Sequence, residues 1–528
     1  MIRIRALELK NFKNVEQGRV LLSRADSVED IGDGADVIGL YGQNGSGKTS
    51  FIQALSILKT LMSGEPLPIK SSEYVACDQD AFELSVEFFV AAGDDDALSD
   101  YILGISDTCP AHMPYIASYA VKVGACSGKS PLVLSESLSC KDLESGESLH
   151  EVFSWEVRGG ASSGEPEPAR ASGISEPLAK LVESARGQWS YDATDIAPST
   201  HWRALMGIDK TLSSRLEATR DKVFQQGESL LFSPGFASFC ADMLNDGTKA
   251  ISKAAAEAVN RVLIPSFSVA FSCGEFAKKD MAVLPTTHQG VLPLGYLPLA
   301  SHEGERGDYV DNFMLLDIDS KDPMPAQRVD ELERALDNVN KVIGQIVPGL
   351  SVSVKRLGKV AGNNGETLES IELMSVRGES SVPLRNESEG IQKILSIVSL
   401  LIDVHTNPSA FVGIDELDSG VFEYLLGEIL QAIAEHGFGQ LVFTAHNLRP
   451  LEVLPSSSIW FTTVEPDRRY TKASGVRDSN NLRKMYLKDI RLGGVGDEVY
   501  VPTSPLRIDG ALYDAGMMAR DMRQQARG

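Results

Sequence analysis

The sequence predicts an α/β protein, and three features carry that prediction. A short apolar strand at residues 37–41 runs into a glycine-rich turn and then a helix at 50–62. Near the other end, a buried strand at 410–414, a helix at about 421–436 and a buried strand at 440–444 follow one another with short connections, the pattern of a parallel α/β unit. Between them, residues 178–350 are mostly helical in pattern, with Pro and Gly punctuation.

Each element has its own signal. Ile2, Ile4, Leu7 and Leu9 alternate as in a half-buried strand with one slip. Phe51, Ala54, Leu55, Leu58 and Leu61 fall on one helical stripe. Residues 82–90, 119–123 and 132–138 read as antiparallel strands, with an exposed acidic loop at 93–96. Residues 159–177 are Gly, Ser, Glu, Pro and Ala with few large apolar side chains, which predicts a flexible linker. The clearest helix covers 325–347, with Val329, Leu332, Leu336, Val339, Val342 and Ile343 on one face and Pro348-Gly349 as its stop. Strands follow at 351–355 and 370–376, and another helix runs from near Glu389 to about His405. There is no internal repeat, and prolines at 265, 285, 293, 298, 323 and 325 argue against a long coiled coil.

Composition sets bounds. A chain of 528 residues suggests about three or four domains. The net charge of −23 disfavours wholesale wrapping of nucleic acid or an anionic membrane, while leaving room for a local basic groove. Six cysteines, at 77, 109, 126, 140, 240 and 273, form no C-x-x-C and have no histidines at finger spacing, so neither a disulfide framework nor a structural zinc site is expected. The first residues contain no apolar signal region. The most apolar run, 394–402, contains two serines and stops at Asp403, whereas a membrane span needs about 20 residues. A soluble cytoplasmic protein is expected.

Four segments carry chemistry. Residues 42–49, Gly-Gln-Asn-Gly-Ser-Gly-Lys-Thr, match G-x-x-x-x-G-K-[ST] between a predicted strand and a predicted helix, the context that confirms the motif. Such a loop turns backbone N–H groups of Asn44, Gly45, Ser46, Gly47, Thr49 and Ser50 toward phosphates at a helix N-terminus. Lys48 would reach the β- and γ-phosphates of ATP, and the Thr49 hydroxyl would ligate Mg²⁺. The apolar strand ending in Asp415-Glu416 would supply a Mg²⁺ ligand, directly or through water, from Asp415 and a general base from Glu416. The strand 440–444 ends in Thr444-Ala445-His446, one helix later, where a sheet neighbour of the acid strand would present His446 to the γ-phosphate. Ser388 and Gly390 stand at the start of the helix before the acid strand, as a second anion site or as a bare N-cap.

In this order the four segments resemble the ATPase head of ABC type, and within it the compact members of the RecF, SMC and OLD group that lack a long coiled coil. The opening ALELKNFKNV resembles that group's first strand. The resemblance covers residues 1–140 and 370–495 and is thin across 150–370. It implies a head with a mixed sheet built from 1–150 and 371–495, a mainly helical insertion at 151–370 and a tail at 496–528. It also implies ATP and Mg²⁺ as cofactors and an ATP sandwich of two copies or a higher even number. In the sandwich, Ser388 and Gly390 of one copy touch the γ-phosphate bound by Lys48 of the other. Residues 417–420 run along the seam, and His446 is the switch histidine. Compact members resemble the ATPase half of bacterial anti-phage defence modules, paired with a nuclease or toxin; a RecF-like DNA repair ATPase that binds DNA and an ATP-gated scaffold with little turnover are the alternatives.

This chain departs from the group in places. The signature, usually Leu-Ser-Gly-Gly-Gln, is here Glu387-Ser388-Glu389-Gly390-Ile391. Gln53 and Gln79 both compete for the glutamine that follows the first helix. Only residues 447–528 follow His446, too few for the nuclease domain of OLD proteins. Asp317 and Asp319, at the end of an apolar strand, could hold metals for phosphodiester cleavage, or be a solvated strand end. Arg520, Arg523 and Arg527 could touch phosphates, or be a basic terminus.

Overall fold

The computed structural model describes residues 1–23, 34–90, 114–124, 131–143, 148–156, 205, 210–246, 257–285, 296–300, 309–310, 313–317, 323–362, 367–472, 482–492 and 504–525. In chain order, strands β1 (Ile2–Phe12), β2 (Val15–Leu21) and β3 (Asp36–Tyr41) precede helix α1 (Lys48–Met62). Strands β4 (Ala81–Val90), β5 (Tyr115–Gly124), β6 (Leu132–Asp142) and β7 (His150–Glu156) come next. Helices α2 (Lys210–Gln226), α3 (Pro234–Asp246) and α4 (Ile264–Lys279) lead to β8 (Met281–Leu284), β9 (Tyr296–Ala300), β10 (Tyr309–Val310), β11 (Phe313–Asp317) and β12 (Met324–Pro325). Helix α5 (Ala326–Ile346), strands β13 (Leu350–Ala361), β14 (Thr367–Arg377) and β15 (Ser380–Pro383) and helix α6 (Glu389–Thr406) follow. The last part holds β16 (Phe411–Ile414), α7 (Glu423–His436), β17 (Gln440–Thr444), α8 (Pro450–Val453), β18 (Ile459–Thr462), β19 (Tyr470–Lys472), α9 (Leu482–Leu492) and α10 (Pro505–Gln525).

The fold is α/β, with two large sheets. One is antiparallel, in the order β2-β1-β4-β5-β6-β7. The other runs β19-β18-β3-β17-β16-β8, parallel except where β19 pairs β18. Its central strands β3, β17 and β16 are buried on both faces and alternate between two cores, as a period of two requires. Ile38, Leu40, Phe411 and Val442 point into a core shared with α1, α4 and the antiparallel sheet. Val37, Tyr41, Val412, Ile414, Leu441 and Phe443 point into a core shared with α5, α6 and α7. The glycine at 39 is needed for packing: a Cβ there would stand 2.7 Å from the ring of Phe443.

The chain ends meet at the joint between the sheets. The Gln440 side chain accepts from the Ile4 N–H at 2.8 Å and donates to the Ile4 carbonyl at 2.9 Å, so an amide side chain stands in for a strand neighbour. Buried Arg3 pairs with Asp36 at 3.3 Å beside it. A second anchor is the fully buried Glu136 carboxyl, which accepts from Tyr119 Oη at 2.6 Å, Trp155 Nε1 at 2.7 Å, the Ser229 hydroxyl and the Leu230 N–H at 2.7 Å. It ties β6 to the segment after α2, and burial raises its pKa.

Within 151–370, helices α2, α3 and α4 follow one another, strands β8 to β12 come next, and α5 and β13 follow; β8 forms the edge of the parallel sheet, paired with β16. The predicted strands at 351–355 and 370–376 are the middle of a longer hairpin, because pairing of β13 with β14 continues from Leu350↔Arg377 to Ala361↔Thr367. The linker at 159–177, the acidic loop at 93–96, Asp319, Arg527 and Cys109 and Cys126 lie outside the described residues, as do the side chains of Asp317, Arg520 and Arg523. Cys77 is an exposed thiol, and Cys140, Cys240 and Cys273 are buried thiols. No helix among the described residues is long and apolar enough to cross a membrane.

Candidate functional site

The glycine-rich loop leaves the tip of β3 and enters α1. Gly45 and Gly47 have φ of 78° and 97°, the left-handed region that glycine adopts without penalty. At Gly42 an added Cβ would fall 1.7 Å from Thr462 Oγ1 at the end of β18, so no larger residue fits. Asn44 and Gly45 are exposed, while Ser46, Lys48 and Ser50 are buried. The Ser46 hydroxyl donates to the Gln43 carbonyl at 2.7 Å, and Lys48 Nζ donates to the carbonyls of Gly42 and Gln43 at 2.8 and 2.9 Å. The loop is therefore a closed turn with its lysine folded back along it.

Two neighbours grip this turn. From the β1–β2 connection, Asn14 Nδ2 donates to the Gly45 carbonyl and Asn14 Oδ1 accepts from the Ser50 hydroxyl at 2.9 Å. From β19, the buried Tyr470 hydroxyl donates to the Gly47 carbonyl at 2.8 Å. Arg469 joins the two by donating to the carbonyls of Thr463 and Asn14. None of these three residues stands out in the motif reading. Asn14 lies inside the opening segment that carries the family resemblance, but Arg469 and Tyr470 have no sequence signal, because their contact with the loop depends on the sheet order.

The acids arrive from β16. Asp415 is fully buried and its Oδ1 accepts from the Thr444 hydroxyl, at the tip of β17, at 2.6 Å. The same hydroxyl oxygen accepts from the Glu416 N–H at 2.8 Å. Glu416 is a non-glycine residue at φ 48°, a conformation that neighbours must fix. Asp418 Oδ2 accepts from the N–H groups of His446 and Asn447 at 2.9 and 2.7 Å, which ties residues 417–420 to the strand tip carrying His446. The His446 residue is exposed.

Phosphate loop and acids form one electrostatic unit. Burial lowers the Lys48 pKa, and Asp415, Glu416 and Asp418 pull it back up. Burial takes Lys393, on α6, down to about 8 against the pull of the same three carboxylates. Both cations thus sit in one field with Asp415, Glu416 and Asp418.

Ser388 is the N-cap residue of α6, exposed and with no side-chain cap hydrogen bond, so its hydroxyl does not perform the capping role that would account for it without function. Gly390 lies against Gly420: a Cβ at 390 would stand 2.2 Å from the Gly420 carbonyl oxygen. Glu387, just before, is clamped by Arg377 at 2.6 and 3.0 Å, and this pairing holds its carboxyl below the usual range. Gln53 accepts from Lys13 Nζ at 2.9 Å, and Gln79 is exposed in the turn after residue 76.

No protein-family model and no curated protein matches the sequence. Solved structures do. The Smc head domain with an extended coiled coil from Pyrococcus furiosus is similar at 12% identity and a TM-score of 0.36, over 93% of this chain and 100% of that one. The Smc head domain with a coiled coil and joint from Pyrococcus yayanosii gives 11% and 0.37, over 93% and 100%. The recombination mediator protein RecF bound to ATP gives 11% and 0.33, over 89% and 99%.

The local geometry suits a magnesium nucleotide on its own terms. Two left-handed glycines and a third too crowded for any side chain leave a backbone cradle in front of α1, with a buried lysine at its mouth. Thr49 stands at the start of α1, and Asp415 belongs to the same charged cluster as Lys48. No group of three or more His, Cys, Asp or Glu side chains fit to hold a metal ion occurs among the described residues.

Proposed function

We propose that the chain is a Mg²⁺-dependent ATP hydrolase of ABC type, in which ATP closes two copies head to tail and the closure controls a partner protein. The observation that carries this reading is the meeting of Lys48 with Asp415, Glu416 and Asp418, brought together from far-separated parts of the chain by the order β3-β17-β16. Parallel α/β sheets bind ligands at the carboxyl ends of their strands, which is where all four side chains lie.

Asn44 to Ser50 would cradle the phosphates, Lys48 would unfold from its loop carbonyls onto the β- and γ-phosphates, and Thr49 and Asp415 would hold Mg²⁺. Bound Mg²⁺ supplies charge neutralisation at the phosphate oxygens. Glu416, its N–H fixed by Thr444, would accept a proton from the attacking water. His446 would face the γ-phosphate. The free hydroxyl of Ser388 and the exposed helix start behind it suit a phosphate presented by a second copy. The output is read as control of a nuclease or toxin in bacterial anti-phage defence, with a RecF-like role on DNA as the alternative. Residues 151–370 are the proposed partner surface.

Nucleotide binding by Lys48→Ala tests the core of this reading. The loop loses its cation, and ATP binding should vanish; affinity equal to wild type would refute the assignment.

A further inference from the structure

Helix α6 meets the acid-bearing loop at two points. Gly390 packs on the Gly420 backbone, and one turn later Lys393, 2% exposed, donates from Nζ to the Glu416 carbonyl at 3.2 Å. Among the described residues that carbonyl is the ammonium's only hydrogen-bond acceptor. An ammonium offers three N–H groups, and burying it with one acceptor is costly. A methionine of similar length would fill the space without that cost, so packing alone does not account for a lysine here.

What Lys393 touches gives the reason. Glu416 sits at φ 48°, and three contacts fix its backbone. Thr444 Oγ1 takes its N–H, while Lys393 Nζ and the Ser419 N–H at 3.0 Å take its carbonyl. Thr444 and Ser419 belong to the strand tip and to the loop itself. Only Lys393 comes from the helix that Ser388 caps and whose first turn holds Gly390. A displacement of that helix start reaches the Glu416 peptide directly through this one side chain, and the loop that follows it through the Gly390–Gly420 backbone packing.

We propose that Lys393 is a positioning residue that couples the segment at Ser388 to Glu416, so that engagement of α6 by the phosphates of a second copy aims the Glu416 carboxylate. The proposal rests on the hydrolase reading above. Lys393 needs no contact with nucleotide in this role; it acts through the Glu416 peptide.

The test uses the full chain carrying Lys393→Met or Lys393→Arg, each alone and combined with Glu416→Gln, with ATP affinity, single-turnover hydrolysis and melting temperature measured for all. K393M should bind Mg-ATP as wild type does, and its hydrolysis should fall on the order of 10²-fold, the scale of a reacting group misplaced by about 1 Å. K393R keeps a charged donor and should recover part of the rate. In the E416Q background K393M should cost nothing further, because both changes act on one carboxylate. Hydrolysis by K393M at the wild-type rate, parallel loss of binding and rate, or additive losses in the double variant would each overturn the proposal. Should K393M melt far below wild type, K393R carries the test alone: no further loss of rate in the E416Q background together with a loss in the parent supports the coupling, and equal losses in both backgrounds overturn it. A wild-type chain that hydrolyses no ATP would instead refute the hydrolase reading, and the coupling with it.

Discussion

Thr444→Val removes one oxygen from the centre of the site and leaves the outline of the side chain intact. That oxygen donates to Asp415 Oδ1 at 2.6 Å and accepts from the Glu416 N–H at 2.8 Å, and Thr444 is fully buried. A hydrogen bond to a charged partner contributes about 1.5–3 kcal/mol, and the part-buried Glu416 N–H adds about 0.5–1.5 kcal/mol. The variant should therefore lose ~2–4 kcal/mol. Thr444→Ser keeps the oxygen and loses a methyl group, which costs about 1 kcal/mol. In a cooperative unit of about 150–250 residues each kcal/mol lowers the melting temperature by roughly 2–4 °C, so valine should cost roughly 5–15 °C and serine roughly 2–4 °C. Hydrolysis should separate them further: valine releases both acids and should fall on the order of 10²-fold, while serine stays near wild type. Binding of ATP without Mg²⁺ should be equal in both, because the contacts of residues 42–50 are untouched. Melting by fluorescence and steady-state phosphate release give both numbers. A valine variant that melts and turns over like the serine variant would refute the assignment of Thr444 as the support of the two acids.

Three further outcomes are expected. Glu416→Gln should hold Mg-ATP but slow hydrolysis about 10²–10⁴-fold and accumulate as an ATP-bound dimer in light scattering, whereas turnover near wild type would remove Glu416 from the mechanism. Ser388→Arg chains mixed with Lys48→Ala chains should recover little hydrolysis, since the intact phosphate loop of a mixed pair faces the damaged serine; substantial recovery would mean that Ser388 serves its own chain. Burial takes the Lys59 ammonium down to about 8 from 10.5, so between these values the unfolded chain binds the proton more tightly and stability rises with pH. Lys59→Met should thus raise the melting temperature at pH 7, by an amount that shrinks toward pH 10; a gain independent of pH would assign the effect to packing.

The strands and helices nearest the motifs were legible because local pattern and tertiary demand agree there. Strand β3 is a short run of apolar residues between a charged stretch of sequence and a glycine turn, and α1 has its stripe in phase with the core. The hairpin β13–β14 was only half legible: Arg356, Leu357, Lys359 and Val360 are exposed, so no apolar alternation marks the outer half, which is held by pairing across the ladder and by Arg356 reaching Asp330 and Glu333. Strand β8, only four residues long and starting just after α4, has no meaning until β16 is beside it. The phosphate loop and the two acids were readable as residues, since each motif encodes its own local geometry. Their supports were not: Tyr470 and Arg469 act through contacts that span most of the chain, and Asn14 reaches Gly45 across 31 residues from a turn that no motif marks.

The sheet order explains why those supports exist. Lys48 follows β3 and Asp415 follows β16, with β17 between them, so the two cannot share a loop and must be linked through the tip of the middle strand. That tip is Thr444, whose hydroxyl reaches the acid side, while the next residue, Ala445, donates from its N–H to the Leu40 carbonyl at 3.5 Å on the β3 side. Residue 446 then bonds to Asp418, and the loop containing Asp418 packs through Gly420 on Gly390 of α6. The tips of β3, β17 and β16, residues 417–420 and the start of α6 are therefore consecutive stations on one short chain of contacts. A change at either end of that chain, at the phosphate loop or at the start of α6, has a direct mechanical route to Glu416, which runs through the Thr444 hydroxyl on one side and through the Gly390–Gly420 packing and the Lys393 side chain on the other.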